Sequence, residues 1–336
     1  MKYTSDLPAA GIHAALEDPW EAARVWGEGT VMAVLTATHG PAYRNIGATM
    51  AIAPWGSHAG SITSGCVEAD LILRAGQLRR DGGSLRLRYG EGSPFFDLRL
   101  PCGGAIEVLL LSLSASAPLD ELAGARAARQ PVALEIGPQD GMRIVPFRPT
   151  QPLSDRFILG FPRPLRFVVF GAGPEALIFA RLVAGLGHDH LLVSHEAALL
   201  SPARRQGCRC QLMTHLSGMD GIDIDEATAV VLFYHDHDYE PEILRRVLGS
   251  PAFYIGAQGS GATQAARLRR LRDAGVAEAG LSRLRGPIGL LPSSRDPRTL
   301  AVSVLAEIIA LGSDLANTAP LTGFTDAAEM TVWQSS

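Results

Sequence analysis

Cysteine is scarce in this chain: four in 336 residues, at Cys66, Cys102, Cys208 and Cys210. So few in a chain this long exclude a disulfide framework and point to reduced thiols. No apolar stretch is long enough to span a bilayer. The opening run Met1-Lys2-Tyr3-Thr4-Ser5-Asp6 lacks a signal peptide's hydrophobic region. Charge of one sign is also missing. With 30 basic against 34 acidic residues the net charge is −4, which gives no footing for nucleic acid or an acidic membrane surface. No repeat at solenoid periods is evident. The expectation is a cytoplasmic protein with neither nucleic acid nor membrane as partner.

What is present is apolar substance: 47% hydrophobic and 19% charged residues over a length suited to two domains. Prolines cluster in Arg148-Pro149-Thr150-Gln151-Pro152 and Phe161-Pro162-Arg163-Pro164, the composition of an extended connector. The expected division is a first domain over 1–147, a connector over 148–164, a second domain over 165–315 and a tail over 316–336. The fold class is α/β: an N-terminal mixed α/β domain followed by a C-terminal Rossmann-like, doubly wound parallel sheet.

In the first domain a short helix is expected over Glu21–Gly27, with strands over Val31–Thr38, Ala48–Ala53, Ser84–Tyr89 and Ile106–Leu113. The most informative run is Gly60-Ser61-Ile62-Thr63-Ser64-Gly65-Cys66-Val67-Glu68. It places a cysteine where a Gly/Ser-rich loop turns into a helix. Val67, Leu71, Ala75 and Leu78 recur at helical spacing, and Asp70 and Arg74 form an i,i+4 charge pair. Free amides and the positive dipole end at a helix start favour negative charge. A thiolate there is a nucleophile and a soft metal ligand. The loop amides and the hydroxyls of Ser61, Thr63 and Ser64 are placed to hold an anion beside it. The alternative is a buried, inert thiol. Pro101-Cys102-Gly103-Gly104 reads as a tight turn with a second cysteine.

After residue 165, strands and helices alternate, as a parallel sheet with helices on both faces requires. Strands are expected at Leu165–Phe170, Leu191–Ser194, Cys208–Met213, Ala229–Tyr234, Ala252–Ile255 and Ile288–Leu290. The closing helix starts near Asp296-Pro297. The first strand runs into Gly171-Ala172-Gly173-Pro174-Glu175-Ala176, which fits G-x-G-x-x-G/A. The acid that would bind a ribose is displaced: the second strand ends in Ser194, with Glu196 two residues beyond. NAD(P) binding is therefore disfavoured.

Cys208-x-Cys210 and His235-Asp236-His237-Asp238 invite a metal. In the usual strand order their strands lie roughly 14 Å apart at ~4.8 Å per step, with the clusters at opposite ends. They do not form one site. The loop Gly256-Ala257-Gln258-Gly259-Ser260-Gly261 is a second candidate phosphate cradle. Arg267, Arg269, Arg270 and Arg272 on the next helix read as a solvated face or a docking patch.

Together these segments resemble the xanthine dehydrogenase accessory (XdhC/CoxI) family, over about residues 20–312. The resemblance is carried by Arg44-Asn45-Ile46-Gly47-Ala48-Thr49-Met50, the 60–68 loop, Cys102-Gly103-Gly104 and Phe170-Gly171-Ala172-Gly173. It continues through His235-Asp236-His237, Tyr254-Ile255-Gly256, Gly259-Ser260, Gly286-Pro287-Ile288-Gly289 and the closing helix. It implies a maturation and insertion factor rather than a classical enzyme. Such a chaperone holds the molybdenum cofactor (molybdopterin or its dinucleotide form) while a cysteine desulfurase supplies a sulfido ligand. It then delivers the cofactor to the large subunit of a molybdenum hydroxylase of the xanthine, aldehyde or CO dehydrogenase kind. A homodimer is compatible with it. The resemblance implies Cys66 as the reactive and molybdenum-contacting thiol, Cys102 as a second thiol, and Arg44, Gly60, Ser61, Gly65 and Gly103 as neighbours. On the second domain it implies Gly171, Gly173, His235, Gly259 and Ser260. The alternative from another class is an NAD(P)-dependent oxidoreductase using the C-terminal domain. The chain departs from the family pattern at Ser64, Pro174, Ser194-His195-Glu196 and Gln258.

Overall fold

A computed structural model describes residues 18–63, 65, 67–91, 103–114, 117–137, 141–215, 219–234, 239–291 and 294–318. The chain divides into two units between Pro162 and Arg163.

The first unit opens with helix α1 (Pro19–Trp26), whose first amides are capped by the Asp18 carboxylate. Strands β1 (Val31–His39), β2 (Thr49–Ile52), β3 (His58–Gly60), β4 (Ser84–Gly90) and β5 (Ala105–Ser112) form an antiparallel sheet in the order β3-β2-β1-β5-β4. Helix α2 (Glu68–Asp81) covers one face and presents Leu71, Ala75 and Leu78 to it, as their spacing predicts. The other face packs on α1, on α3 (Ala117–Ala127) and on a four-stranded sheet. Strand β1 is apolar without interruption over Val31–Leu35 because both of its faces are covered there. Val31, Ala33 and Leu35 enter the α2 core, while Met32 and Val34 enter the other.

The four-stranded sheet consists of β6 (Val132–Gly137), β7 (Gly141–Pro146), β8 (Gln151–Pro152) and β9 (Phe157–Phe161), in the order β7-β6-β9-β8. This corrects the expectation of a connector over 148–164. The prolines keep the chain extended, but Phe157 and Leu159 are apolar because they face the core, and β9 pairs with β6. Pro152 sits on the edge strand, where its missing N–H does least harm.

The second unit is a parallel sheet of β10 (Arg166–Gly171), β11 (Asp189–Ser194), β12 (Cys210–Leu212), β13 (Thr228–Phe233), β14 (Tyr254–Ala257) and β15 (Leu284–Arg285). Its order is β12-β11-β10-β13-β14-β15. Helices α4 (Pro174–Gly185), α5 (Ala197–Arg205) and α9 (Pro297–Thr318) bury one face. Helices α6 (Glu240–Val247), α7 (Gly261–Asp273) and α8 (Glu278–Leu281) bury the other. Two expectations change here. The last strand is Leu284–Arg285, not Ile288–Leu290. Ile288 is apolar because it packs in the α4/α9 core, and the Gly289 amide goes to the Glu307 carboxylate rather than to a strand. Helix α9 also runs on to Thr318, past the expected start of the tail at 316. Among the described residues no helix is long and apolar enough to cross a membrane.

Candidate functional site

Strand pairing decides which loops meet. In the first sheet, His39 pairs with Ala105, Gly90 pairs with Ala105, and Met50 pairs with Gly60. The C-terminal ends of β1, β3 and β4 and the N-terminal ends of β2 and β5 therefore lie at one end of the sheet. From that end emerge the turn carrying Arg44, the loop from Ser61 to Val67, and the segment before Ala105 that contains Gly103. Residues far apart in sequence are gathered by topology. Arg44 and Gly103 are exposed there, and Arg44 has no partner among the described residues. On the same end His39 and Arg88 converge on Glu107, at 3.1 and 3.3 Å. Cys66, Ser64 and Cys102 lie outside the described residues.

Glu68 dominates the loop, and no role was read for it in the sequence. Its Oε1 accepts from the Ser61 hydroxyl at 3.1 Å and from the amides of Ile62 and Thr63 at 3.2 and 2.7 Å. Its Oε2 accepts from the Thr63 hydroxyl at 2.8 Å and from the amides of Gly65 and Val67 at 2.9 and 3.2 Å. Among the described residues, these donors of the expected anion loop are engaged by the chain's own carboxylate, at the positive end of α2. Gly60, with φ of +74°, turns the chain into this loop, and the Ser61 hydroxyl is one of the donors to Glu68. The available signal was spacing: an acid three residues after Gly65 is placed to reach back to a loop amide, as in a capping box. The start of α2 is further fixed by Tyr89, whose hydroxyl donates to Asp70 at 2.7 Å, and by Arg74 at 3.4 Å from Asp70.

Burial pushes the Glu68 carboxyl up. The amide and hydroxyl of Thr63, its own amide and the Ser61 hydroxyl outweigh that and hold it at about 2, against an ordinary 4.5. The unfolded carboxyl takes a proton as pH falls through 4.5, whereas the folded one resists until about 2. Stability from this group is complete above the higher value and is lost across that window, by about 3 kcal/mol. Urea unfolding between pH 7 and pH 2.5 is expected to show this acid limb in the wild type and its flattening in Glu68→Gln.

The carboxyl rim of the parallel sheet tells a different story. Gly171 ends β10 where a Cβ would stand 2.6 Å from the Ala176 side chain and 2.8 Å from the Phe233 carbonyl. Its role is close helix–strand packing. Gly173 caps α4 in extended conformation, and Pro174 occupies the first helical position, which removes one amide from the rim. The buried Ser194 spends its hydroxyl on the Glu196 amide at 3.1 Å, and Glu196 is exposed. Ser260 caps α7 by accepting from the Thr263 amide at 3.1 Å, beside Gly259. His195 stacks on Tyr239 and Tyr234 with centroids 4.6 and 5.7 Å away. His235 and the rest of its cluster lie outside the described residues.

Strands β12 and β13 are separated by β11 and β10, the strand spacing expected of them. Cys208 is buried, and burial pushes both its thiol and that of Cys210 up. The Cys210 thiol donates to the Cys208 carbonyl at 3.4 Å. Both are packing residues. Among the described residues no group of three or more His, Cys, Asp or Glu is placed to hold a metal. Arg267 departs from the solvated face on which the sequence placed it. It is buried and paired with Glu240, while Arg269, Arg270 and Arg272 stay exposed.

An antiparallel sheet that gathers a cysteine-bearing loop at one end, joined in sequence to a parallel sheet in Rossmann order, defines a two-unit α/β protein with a Rossmann-type second unit. The chain belongs to the XdhC and CoxI family. That family's model matches residues 24–90, and the XdhC Rossmann domain matches residues 167–308. The chain is 35% identical over 286 residues to the molybdenum cofactor insertion chaperone PaoD of Escherichia coli (strain K12), covering 84% of this chain and 83% of that protein. It is 25% identical over 332 residues to a probable xanthine dehydrogenase subunit of Bacillus subtilis (strain 168), covering 89% and 95%. A crystal structure described as a xanthine dehydrogenase from Bacillus halodurans shares the fold. Its TM-score is 0.76 at 20% identity, over 90% of this chain and 98% of that one.

Proposed function

We propose that this chain takes the molybdenum cofactor as cargo and shelters it while a cysteine desulfurase supplies a terminal sulfido ligand. It then passes the cargo to the large subunit of a molybdenum hydroxylase. The observation that carries this reading is the 35% identity, over 84% of the chain, to a molybdenum cofactor insertion chaperone. The topology supports it by bringing the Cys66 loop, the Arg44 turn and the approach to Gly103 to one sheet end. Cys66 is the proposed soft ligand to molybdenum or its sulfur, with Cys102 the second thiol. The exposed Arg44 guanidinium suits the anionic part of the cargo. It carries more of that task than the sequence suggested, because Glu68 already engages the amides of Ile62, Thr63 and Gly65. The proposal also assigns Gly171, Gly173, His235, Gly259 and Ser260 to binding on the second unit.

The test is purification under anaerobic conditions from cells with and without molybdenum-cofactor synthesis. Molybdenum and the fluorescent oxidised pterin are expected only from the former. Cys66→Ala is expected to retain roughly tenfold less molybdenum, the scale on which metal sites respond to a lost supporting group. Absence of both signals from the wild type overturns the reading. Saturable NAD(P)H binding with substrate-dependent oxidation would favour the oxidoreductase instead. Against that reading stand the buried Ser194 at the strand end where an acid would hold the ribose, and Pro174 at the first turn of α4.

A further inference from the structure

We propose that Glu68 is the positioning residue of the thiol loop: a resident anion that fills the loop's own nest of donors and sets the shape of the segment bearing Cys66 before cargo arrives. The inference rests on the function proposed above only where cargo is measured.

From the described residues each carboxylate oxygen accepts three hydrogen bonds, from the amides of Ile62, Thr63, Gly65 and Val67 and the hydroxyls of Ser61 and Thr63. A carboxylate offers about four lone-pair sites, so this one is saturated. The donors come from residues on both sides of position 66, and Glu68 itself is the first residue of α2. One buried group therefore ties the loop, the helix start and the cysteine's flanking peptides together. Among the described donors of the nest none is left for a second anion, which would also meet the charge already there. The nest serves conformation, and the anionic end of the cargo binds outside it.

Removing the side chain creates a site. In Glu68→Ala the same four amides and two hydroxyls face an empty space of carboxylate size, and free formate is the smallest carboxylate that fits it. Three measurements on full-length protein follow. Alkylation of Cys66 by iodoacetamide, followed by mass spectrometry, is expected to accelerate roughly tenfold in Glu68→Ala as the loop opens locally. Formate, against chloride at matched ionic strength, is expected to raise the melting temperature of the variant by several degrees and leave the wild type unmoved. Formate is also expected to return the alkylation rate to within about twofold of wild type.

A merely structural contact predicts destabilisation without formate rescue, and that outcome overturns the proposal. So does an alkylation rate in Glu68→Ala unchanged from wild type. If Glu68→Ala does not fold, Glu68→Gln takes its place. Its amide NH2 faces amide donors, so alkylation is expected to accelerate, and an unchanged rate counts against the proposal. None of these readouts needs cargo. Formate rescue in a protein that yields no molybdenum would keep Glu68 in its role and remove the chaperone reading. Molybdenum retention without rescue would do the reverse.

Discussion

Gly60→Ala is expected to lower the unfolding free energy by about 2–5 kcal/mol. Gly60 closes β3 with φ of +74°, a left-handed conformation that costs an alanine about 1–2 kcal/mol. The added Cβ would overlap the Thr49 carbonyl oxygen and stand 3.1 Å from the Pro19 side chain. Neither neighbour yields easily. Thr49 is held in the β1–β2 ladder, and Pro19 opens α1. Overpacking of this kind adds about 1–3 kcal/mol. Gly56→Ala separates the two contributions. Gly56 also has positive φ, +92°, but nothing lies within 4 Å of its built Cβ, so only the conformational part, about 1–2 kcal/mol, is expected. Urea unfolding of both variants decides the matter, and equal losses would remove the close approach from the explanation. Ser61 follows directly, so displacing Gly60 also moves the first donor to Glu68.

Arg267→Met is expected to cost about 3–5 kcal/mol, the range for stranding one member of a buried ion pair. The Arg267 and Glu240 side chains are 6% and 4% exposed. Arg267 also donates to the Gln264 amide oxygen and to the Gln258 carbonyl, both at 2.6 Å. It therefore pins the Gly259–Ser260 loop to the start of α6. The single variant leaves the buried Glu240 carboxylate without its guanidinium partner. Arg267→Met combined with Glu240→Leu is expected to recover most of the loss, because matched apolar replacement of a buried pair is commonly near neutral. Denaturant midpoints of the wild type, the two single variants and the double variant close the cycle. A double variant as unstable as Arg267→Met would show that the Gln264 and Gln258 contacts matter more than charge.

What the sequence could reveal followed from where each signal lives. Strand β1 and the β10–Gly171–α4 turn were legible because burial on both faces and close helix packing write themselves into consecutive residues. Helix α2 was legible through Leu71, Ala75 and Leu78. The four-stranded sheet was partly hidden: the apolar run Phe157-Ile158-Leu159 is short and is flanked by the prolines around β8 and β9. Ile288 misled because an apolar residue in a core-packed turn looks like one in a strand. Arg267 misled because the neighbouring arginines of its helix are exposed, and its partner Glu240 lies 27 residues away in the sequence. Glu68 was the hardest case. Backbone amides carry no letter in a sequence, so a carboxylate whose partners are mostly amides has no visible complement.

The placement of α9 bears on the order of synthesis. Leu300, Ala301, Val304, Leu305 and Ile308 complete the core against Val169, Phe179 and Phe233, yet they are among the last described residues to leave the ribosome. The first unit has all its sheet partners once Phe161 is made. Strands β10 to β14 therefore emerge with the face under α9 covered only by α4 and α5, and its core is not complete until Ile308 has been made.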